Sequence, residues 1–399
     1  MNYTNLNETI SLNLIFTESN YEKILENITL EDYIIFSRGP KYLSLKIVIP
    51  ITIIYSVLFL SGLVGNIAVC FVIATNISMH TPTNYYLFSL ALSDLALLIL
   101  GLPNDLSIYW QQYPWVLGLF FCKTRALVSE MCSYVSVLTI VAFSVERYIA
   151  ICHPLTSYKT DKLTRVMKVI CALWIISFFS ALPFAVFTTI NYIDWPIGSG
   201  IAVNESAFCA MLKDNVPPDF PIYELSSVLF FLLPAFVLTY LYIRIGLIIS
   251  KNQNVNGSIH GEQRTSQSRK SIVRMLMAVV VAFFICWAPF HLQRVMYIYM
   301  SNLPIFHIIN MWMYHISGIL YYFSATVNPI LYNLMSVKYR TAFKQTLFCK
   351  KDSRYNSLAR TSSNKESNGR SNTIRKHFYK LRISTLNSAE LDEVLETQI

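Results

Sequence analysis

Seven long apolar stretches constrain this chain more than any other feature. They run Ile47–Ala74, Tyr85–Ile108, Phe121–Val145, Val169–Ile193, Leu225–Ile243, Met275–Leu292 and Ile305–Val337. Each holds about the 17–25 apolar residues that cross a ~30 Å hydrocarbon core as a helix. Of the 399 residues 54% are apolar and only 14% are charged. A soluble protein carries about 25% charged residues, so this chain lacks the charge to cover a water-facing surface. The expected fold is an all-α membrane protein, a seven-transmembrane helix bundle over residues 46–337. Residues 1–45 read as an outer tail, 338–349 as a short amphipathic eighth helix and 350–399 as a disordered cytoplasmic tail.

Charge orients the bundle. On one side lie Lys23, Arg38, Lys41, Lys46, Lys123, Arg125, Lys213 and Arg294, and the other 24 basic residues lie on the opposite side. With the acids included, the two faces carry −5 and +15. Positive residues stay cytoplasmic, which puts the N-terminus outside a multi-pass plasma-membrane protein. Sequons at Asn2, Asn7, Asn27 and Asn204 fall on the outer side, where glycosylation occurs. Those at Asn76 and Asn256 fall inside and should go unused. Met1–Glu18 has neither a basic n-region nor an apolar core, so the first span is expected to be its own insertion signal.

Of eight cysteines only Cys122 and Cys209 face the oxidising side. They form either one disulfide or two free thiols. Asp94 is the one acid at mid-depth, and an ionisable group there needs a reason. With Asn66, Ser136, Ser324 and Asn328 it makes either a site for a small cation such as Na⁺ or a protonated, hydrogen-bonded carboxyl. No other cofactor is expected. Glu146-Arg147-Tyr148 ends the third span, where Arg147 can pair with the adjacent Glu146 or snorkel to headgroups. Pro103, Pro183, Pro234, Pro289 and Pro329 sit where helices should bend. In the amphipathic piece, Phe343, Leu347 and Phe348 can lie on lipid while Lys338, Arg340 and Lys344 face headgroups.

Together these form a pattern. Gly65-Asn66, Leu90-Ala91-Leu92-Ser93-Asp94, Glu146-Arg147-Tyr148, Trp174, Pro234 with Tyr242, Phe283 with Cys286-Trp287-Ala288-Pro289, and Asn328-Pro329-Ile330-Leu331-Tyr332 occur in successive spans. The chain resembles the rhodopsin-like G-protein-coupled receptors over Lys46–Cys349. That resemblance implies an outward swing of the sixth helix that opens an inner crevice for a heterotrimeric G protein. It implies that Arg147, Tyr242 and Tyr332 form the inner switch, and Trp287 with Phe283 the transmission layer.

Helical phase points to the pocket. Ser129 lies 18 residues before Arg147, on the same face and about 27 Å outward. By resemblance an amine receptor would need an Asp there, and a retinal pigment would need a Lys where Tyr322 stands. Glu130, Asp105, Glu224 and Arg294 gather around the same mouth. They would contact ligand, or form a solvated vestibule with Glu130 and Arg294 paired to each other. Acids among aromatics suit a basic peptide.

Asn84-Tyr85-Tyr86-Leu87-Phe88-Ser89-Leu90, Trp110 and Ser144-Val145-Glu146-Arg147-Tyr148 resemble the neuromedin U, pyrokinin and capa receptors. The resemblance implies an amidated peptide with a Pro-Arg pair, its Arg on Glu130 and Asp105, and Gq coupling with calcium release. Receptors for ghrelin-, neurotensin- or thyroliberin-like peptides are the alternative, and an ion-coupled transporter a remote one. Cys349 is a palmitoylation candidate. Thr361, Ser362 and Ser363 could be phosphorylated to recruit arrestin, and Glu396-Thr397-Gln398-Ile399 suits a PDZ domain. No metal-ligand cluster, phosphate loop or Ser/His/Asp set speaks for an enzyme, and no nucleic-acid partner is expected.

Overall fold

The computed structural model describes residues 28–153, 162–255, 263–300, 303, 305–335 and 337–348. Helix α1 (Leu30–Arg38) precedes the first span, α2 (Leu45–Thr75). The second span is split into α3 (Pro82–Leu100) and α4 (Leu102–Trp110), and α5 (Gly118–Cys152) is the third. Next come α6 (Lys162–Phe187) and the antiparallel strands β1 (Thr189–Asp194) and β2 (Ala202–Ala210). Then α7 (Ile222–Ser227) runs through a π turn into α8 (Leu233–Val255), followed by α9 (Gln263–Tyr299), α10 (Phe306–Met335) and α11 (Val337–Phe348).

The helices close into a bundle. α2 packs on α3 and α10, α10 on α9, and α9 on α8, while α5 runs through the middle against α3, α6 and α8. Leu97, Leu98, Leu238, Tyr322 and Ala325 are fully buried at its centre. The apolar residues Val57, Val64, Phe179, Phe236 and Leu247 point outward. In hydrocarbon that is the favoured arrangement, since lipid tails are as apolar as these side chains.

Among the described residues six helices are long and apolar enough to cross a membrane. α10, with 30 residues, is as long but more polar. It buries His315, Ser317, Ser324, Thr326 and Asn328, while Ile308, Trp312, Ile316 and Ile330 are exposed.

Several boundaries depart from expectation. The fourth span was expected to reach Ile193, but α6 stops at Phe187 and residues 189–194 form β1. Thr189, Ile190, Tyr192 and Ile193 are β-branched or aromatic and suit a strand. Lys123 from α5 finishes α6, its ammonium donating to the carbonyls of Ala185 (3.1 Å) and Val186 (2.8 Å). At Pro234 the expected bend takes the form of a π turn over Val228–Leu232. Proline offers no N–H to the carbonyl four residues back, and a widened turn absorbs the mismatch.

The outer tail also contains structure, in α1. Thr29 caps it through its hydroxyl, which accepts from the Asp32 N–H at 3.2 Å. Gly39 at φ 80 ends it, a backbone angle that suits glycine. Ile34 is buried with Tyr113, Ile193 and Val203, and Tyr33 packs on Trp195 at 5.5 Å. Tyr113 donates to the Gly39 carbonyl at 2.9 Å. Burial, and then the Glu31 carboxylate, raise the Tyr113 phenol above its ordinary pKa, which keeps it a donor. At the other end Tyr339 and Ala342 of α11 are buried against Val69 and Met79, and Phe343 packs on that cluster rather than on lipid alone. Arg340 and Lys344 are exposed; the side chains of Lys338, Leu347 and Phe348 lie outside the described residues.

Close helix contact depends on small residues. A Cβ on Gly62 of α2 would stand 2.6 Å from Leu98 Cδ1 and 2.9 Å from Thr326 Oγ1, whereas one on Gly246 of α8 would meet nothing within 4 Å. Gly62→Val is therefore expected to destabilise the protein by about 1–3 kcal/mol. Gly246→Ala should be neutral or stabilising by up to ~1 kcal/mol. Thermal unfolding of the detergent-solubilised variants checks both.

Candidate functional site: an outer pocket above an inner switch

At the outer mouth, Glu130 of α5 and Arg294 of α9 form a bidentate ion pair. One guanidinium nitrogen donates to Glu130 Oε2 at 3.1 Å, and the other donates to Oε1. Glu130 is only 4% exposed. The two residues thus meet each other, the internal pairing that the sequence left open. The Arg294 guanidinium lies 4.1 Å from the Phe290 ring centroid, with Phe184 and Tyr223 at 5.4 and 5.5 Å. Aromatic faces favour a cation, and two parallel N–H···O bonds favour Arg over Lys.

The other pocket residues are also engaged. Asp105 Oδ2 accepts from the Tyr322 hydroxyl at 2.6 Å, and Oδ1 accepts from Arg125 at 3.3 Å. Glu224 accepts from the Tyr299 hydroxyl at 3.0 Å. Ser129 takes part through its carbonyl, which accepts from Tyr321 at 3.0 Å. Two of the three carboxylates thus have an arginine each. Of the three, Glu224 has no ion pair among the described residues, so the mouth is less negative than its acids alone suggested.

An aromatic layer continues inward from the pair. Phe290 stacks on Tyr321 at 4.8 Å, and Trp287 meets Tyr321 at 5.8 Å and Phe290 at 6.1 Å, both edge-on. Below it Phe283 stacks on Phe231 at 5.8 Å. These rings give the Glu130–Arg294 pair an unbroken path of contact down α9 to Trp287. Phe290 and Tyr321 were not singled out from sequence, although Phe290 stands one turn before Arg294 and three residues after Trp287, on one helix face.

At mid-depth Asp94 accepts from Ser136 Oγ at 3.1 Å and from Asn328 Nδ2 at 2.9 Å. The Asn66 amide donates elsewhere, to the Gly62 and Ala325 carbonyls, and the Ser324 hydroxyl donates to the Tyr321 carbonyl at 2.6 Å. One carboxylate with hydroxyl and amide oxygens is a donor set that suits a small hard cation. Among the described residues no group of three or more His, Cys, Asp or Glu side chains could hold a metal.

At the opposite end of the bundle Glu146 and Arg147, whose pairing the sequence left open, form no ion pair with each other. Glu146 is held by Arg165 of α6, whose Nη2 stands 2.8 and 2.7 Å from its two oxygens. Arg147 is buried, its guanidinium 5.1 Å from the Phe143 ring centroid. Its Nη2 has no hydrogen-bond partner. The Tyr242 hydroxyl bonds to Ser144 Oγ at 2.5 Å, and Tyr148 meets His153 edge-on at 5.5 Å. Pro329 abuts Gly65, where an added Cβ would sit 3.1 Å from it. Trp174 ties α6 to α3 by donating to Ser89 Oγ at 2.9 Å.

Cys122 and Cys209 are joined by a disulfide, with Cα atoms 5.8 Å apart. It fixes β2 to the top of α5. Asn204 is exposed on β2. Asn2, Asn7, Asn27, Cys349, the Tyr332 side chain, the tail hydroxyls at 361–363 and the last four residues lie outside the described residues.

The pattern of the family described as "7 transmembrane receptor (rhodopsin family)" matches residues 65–332. The chain belongs to this family. Similar proteins include the neuromedin U receptor homolog nmur-2 of Caenorhabditis elegans, 39% identical, covering 80% of this chain and 84% of that one. The pyrokinin-1 receptor of Drosophila melanogaster is 38% identical, over 79% of this chain and 84% of its own. The human neuromedin-U receptor 2 is 34% identical, over 79% and 75%. This rhodopsin-family protein is therefore a multi-pass membrane receptor of the neuropeptide group, not an enzyme.

Breaking a buried pair by removing one partner strands the other charge and costs about 3–5 kcal/mol. Glu130→Gln alone should therefore lower the receptor's stability sharply, and Arg294→Gln should do the same. The double variant strands no charge and should recover more than half of the loss. Melting temperatures of the four purified forms check this; additive losses would mean the pair is not coupled.

Proposed function

We propose that the chain is the receptor for an amidated neuropeptide whose arginine, near its C-terminus, enters the outer pocket and competes with Arg294 for Glu130. The observation that carries this reading is the buried Glu130–Arg294 pair, seated in an aromatic cage directly above Phe290 and Trp287. A second guanidinium at Glu130 repels Arg294 and draws it off the Phe290 face. Phe290, Tyr321 and Trp287 then repack, and α9 swings about Pro289. Asp105, with Arg125 and Tyr322 on it, gives the incoming arginine a second acceptor. The relatives, a neuromedin U receptor homolog and a pyrokinin receptor, support a neuropeptide as the ligand.

In this proposal the N-terminus is outside, as the −5 and +15 faces and the exposed sequon at Asn204 support. The inner crevice around Arg147 and Tyr242 receives a heterotrimeric G protein of the Gq class, read out as calcium release. Asp94, Ser136, Ser324 and Asn328 would hold Na⁺, and the ion would supply a positive charge beside the Asp94 carboxylate.

The test uses Pro-Arg-Xaa-amide peptides and their citrulline analogues, which keep the shape and lose the charge. In transfected cells the arginine peptide should release calcium at a concentration about 30-fold or more below that of the citrulline peptide. This corresponds to loss of a desolvated charge contact worth about 2 kcal/mol or more. In Glu130→Gln that ratio should fall close to one. Comparing the two peptides on each receptor cancels any change in surface expression. An unchanged ratio removes Glu130 from the site, and silence toward every such peptide rejects the ligand class.

A further inference from the structure

The inner end of α5 poses a question that the pocket does not answer. Glu146 and Arg147 are neighbours of opposite charge, yet the carboxylate is turned to another helix. Arg165 Nη2 takes both of its oxygens, at 2.8 and 2.7 Å. Arg147 is left buried against Phe143 with its Nη2 unpartnered. A buried guanidinium nitrogen without an acceptor is expensive, so a carboxylate one residue away would be its natural partner. What keeps the two apart is Arg165, one turn into α6 and more accessible (38% against 22% for Glu146).

We propose that Arg165 is a positioning residue of the inner switch: by holding Glu146 on α6 it leaves Arg147 unlatched and sets the receptor's resting activity. This rests on the reading of Arg147 as the group that meets the G protein. Without Arg165, Glu146 turns back to Arg147, pairs with it and holds it against α5. The arginine then has to break a charge-assisted contact before it can move. Arg165 acts only through Glu146 and touches neither ligand nor Phe143. Because both members of the Arg165–Glu146 pair reach solvent, its effect is modest, on the order of threefold.

Four forms of the full-length receptor in lipid nanodiscs test it: wild type, Arg165→Met, Glu146→Gln and the double variant. Ligand-free nucleotide exchange is measured on purified heterotrimers of each class. Arg165→Met should lower basal exchange about threefold. Glu146→Gln should abolish that effect, so that the double variant matches Glu146→Gln alone. Arg165→Lys, which keeps the charge, should restore most of the wild-type rate. An equal loss from Arg165→Met in both backgrounds would mean that Arg165 merely ties α6 to α5 and would overturn the proposal, as would no loss at all.

The guanidinium nitrogen NMR signal of Arg147, assigned with Arg147→Lys, needs no G protein. It should move on Arg165→Met and stay in place on the double variant. If wild type and variants alike drive no exchange, the receptor reading fails, and the NMR signal decides the role of Arg165 alone. An Arg147 signal indifferent to Arg165 overturns the proposal on either reading.

Discussion

A carboxylate and a guanidinium buried between α5 and α9 organise the outer half of this molecule. Neither would survive alone at that depth, because an isolated ion in a low-dielectric setting costs several kcal/mol even after relaxation. Paired, Glu130 and Arg294 join α5 to α9 directly. Arg294 is also clasped by Phe184, Tyr223 and Phe290, so α6, α7 and α9 report on its position. Under the proposed reading, a third charge arriving at Glu130 competes with Arg294 and weakens the pair.

The same rule, that charge in a membrane must be answered locally, recurs at each level. Asp94 is met by Ser136 and Asn328. Asp105 is met by Tyr322 and Arg125, and Glu146 by Arg165. The Lys123 ammonium is met by the free carbonyls at the end of α6. Among the described residues the buried Arg147 Nη2 has no hydrogen-bond partner, nor do the Nε atoms of Arg38, Arg125 and Arg165. Arg125 and Arg165 each reach a carboxylate through another nitrogen, whereas the Arg147 guanidinium rests against the Phe143 ring.

Much of this was legible in the sequence, because hydrocarbon imposes a simple code. The length of the apolar runs fixed the spans, and helical phase from Arg147 and Asp94 put Ser129, Glu130, Asp105 and Arg294 around one mouth. Hydropathy overran the end of the fourth span because Ile190, Tyr192 and Ile193 extend the apolar run past Phe187, although Asn191 and Asp194 interrupt it. The run Ile305–Val337 reads as a span even though α10 turns His315, Ser317, Ser324, Thr326 and Asn328 inward. Partner choice was the least legible. Arg147 follows Glu146 in the chain, but backbone geometry points successive side chains about 100° apart, and Arg165 reaches Glu146 from another helix. Pairings such as Asp105 with Arg125 and Tyr322 depend on helix packing that no local pattern encodes. The helix ahead of the first span went unread because its stabilising contacts, Tyr113, Trp195 and Val203, all come from distant loops.

A cryo-EM structure of the receptor bound to an activating arginine-containing peptide and a heterotrimer tests the central claim most directly. The account requires the peptide guanidinium within hydrogen-bond reach of Glu130, with Arg294 displaced from the Phe290 ring and Trp287 repacked. An active complex in which Glu130 and Arg294 remain joined in their resting geometry, with the peptide arginine elsewhere, would contradict it.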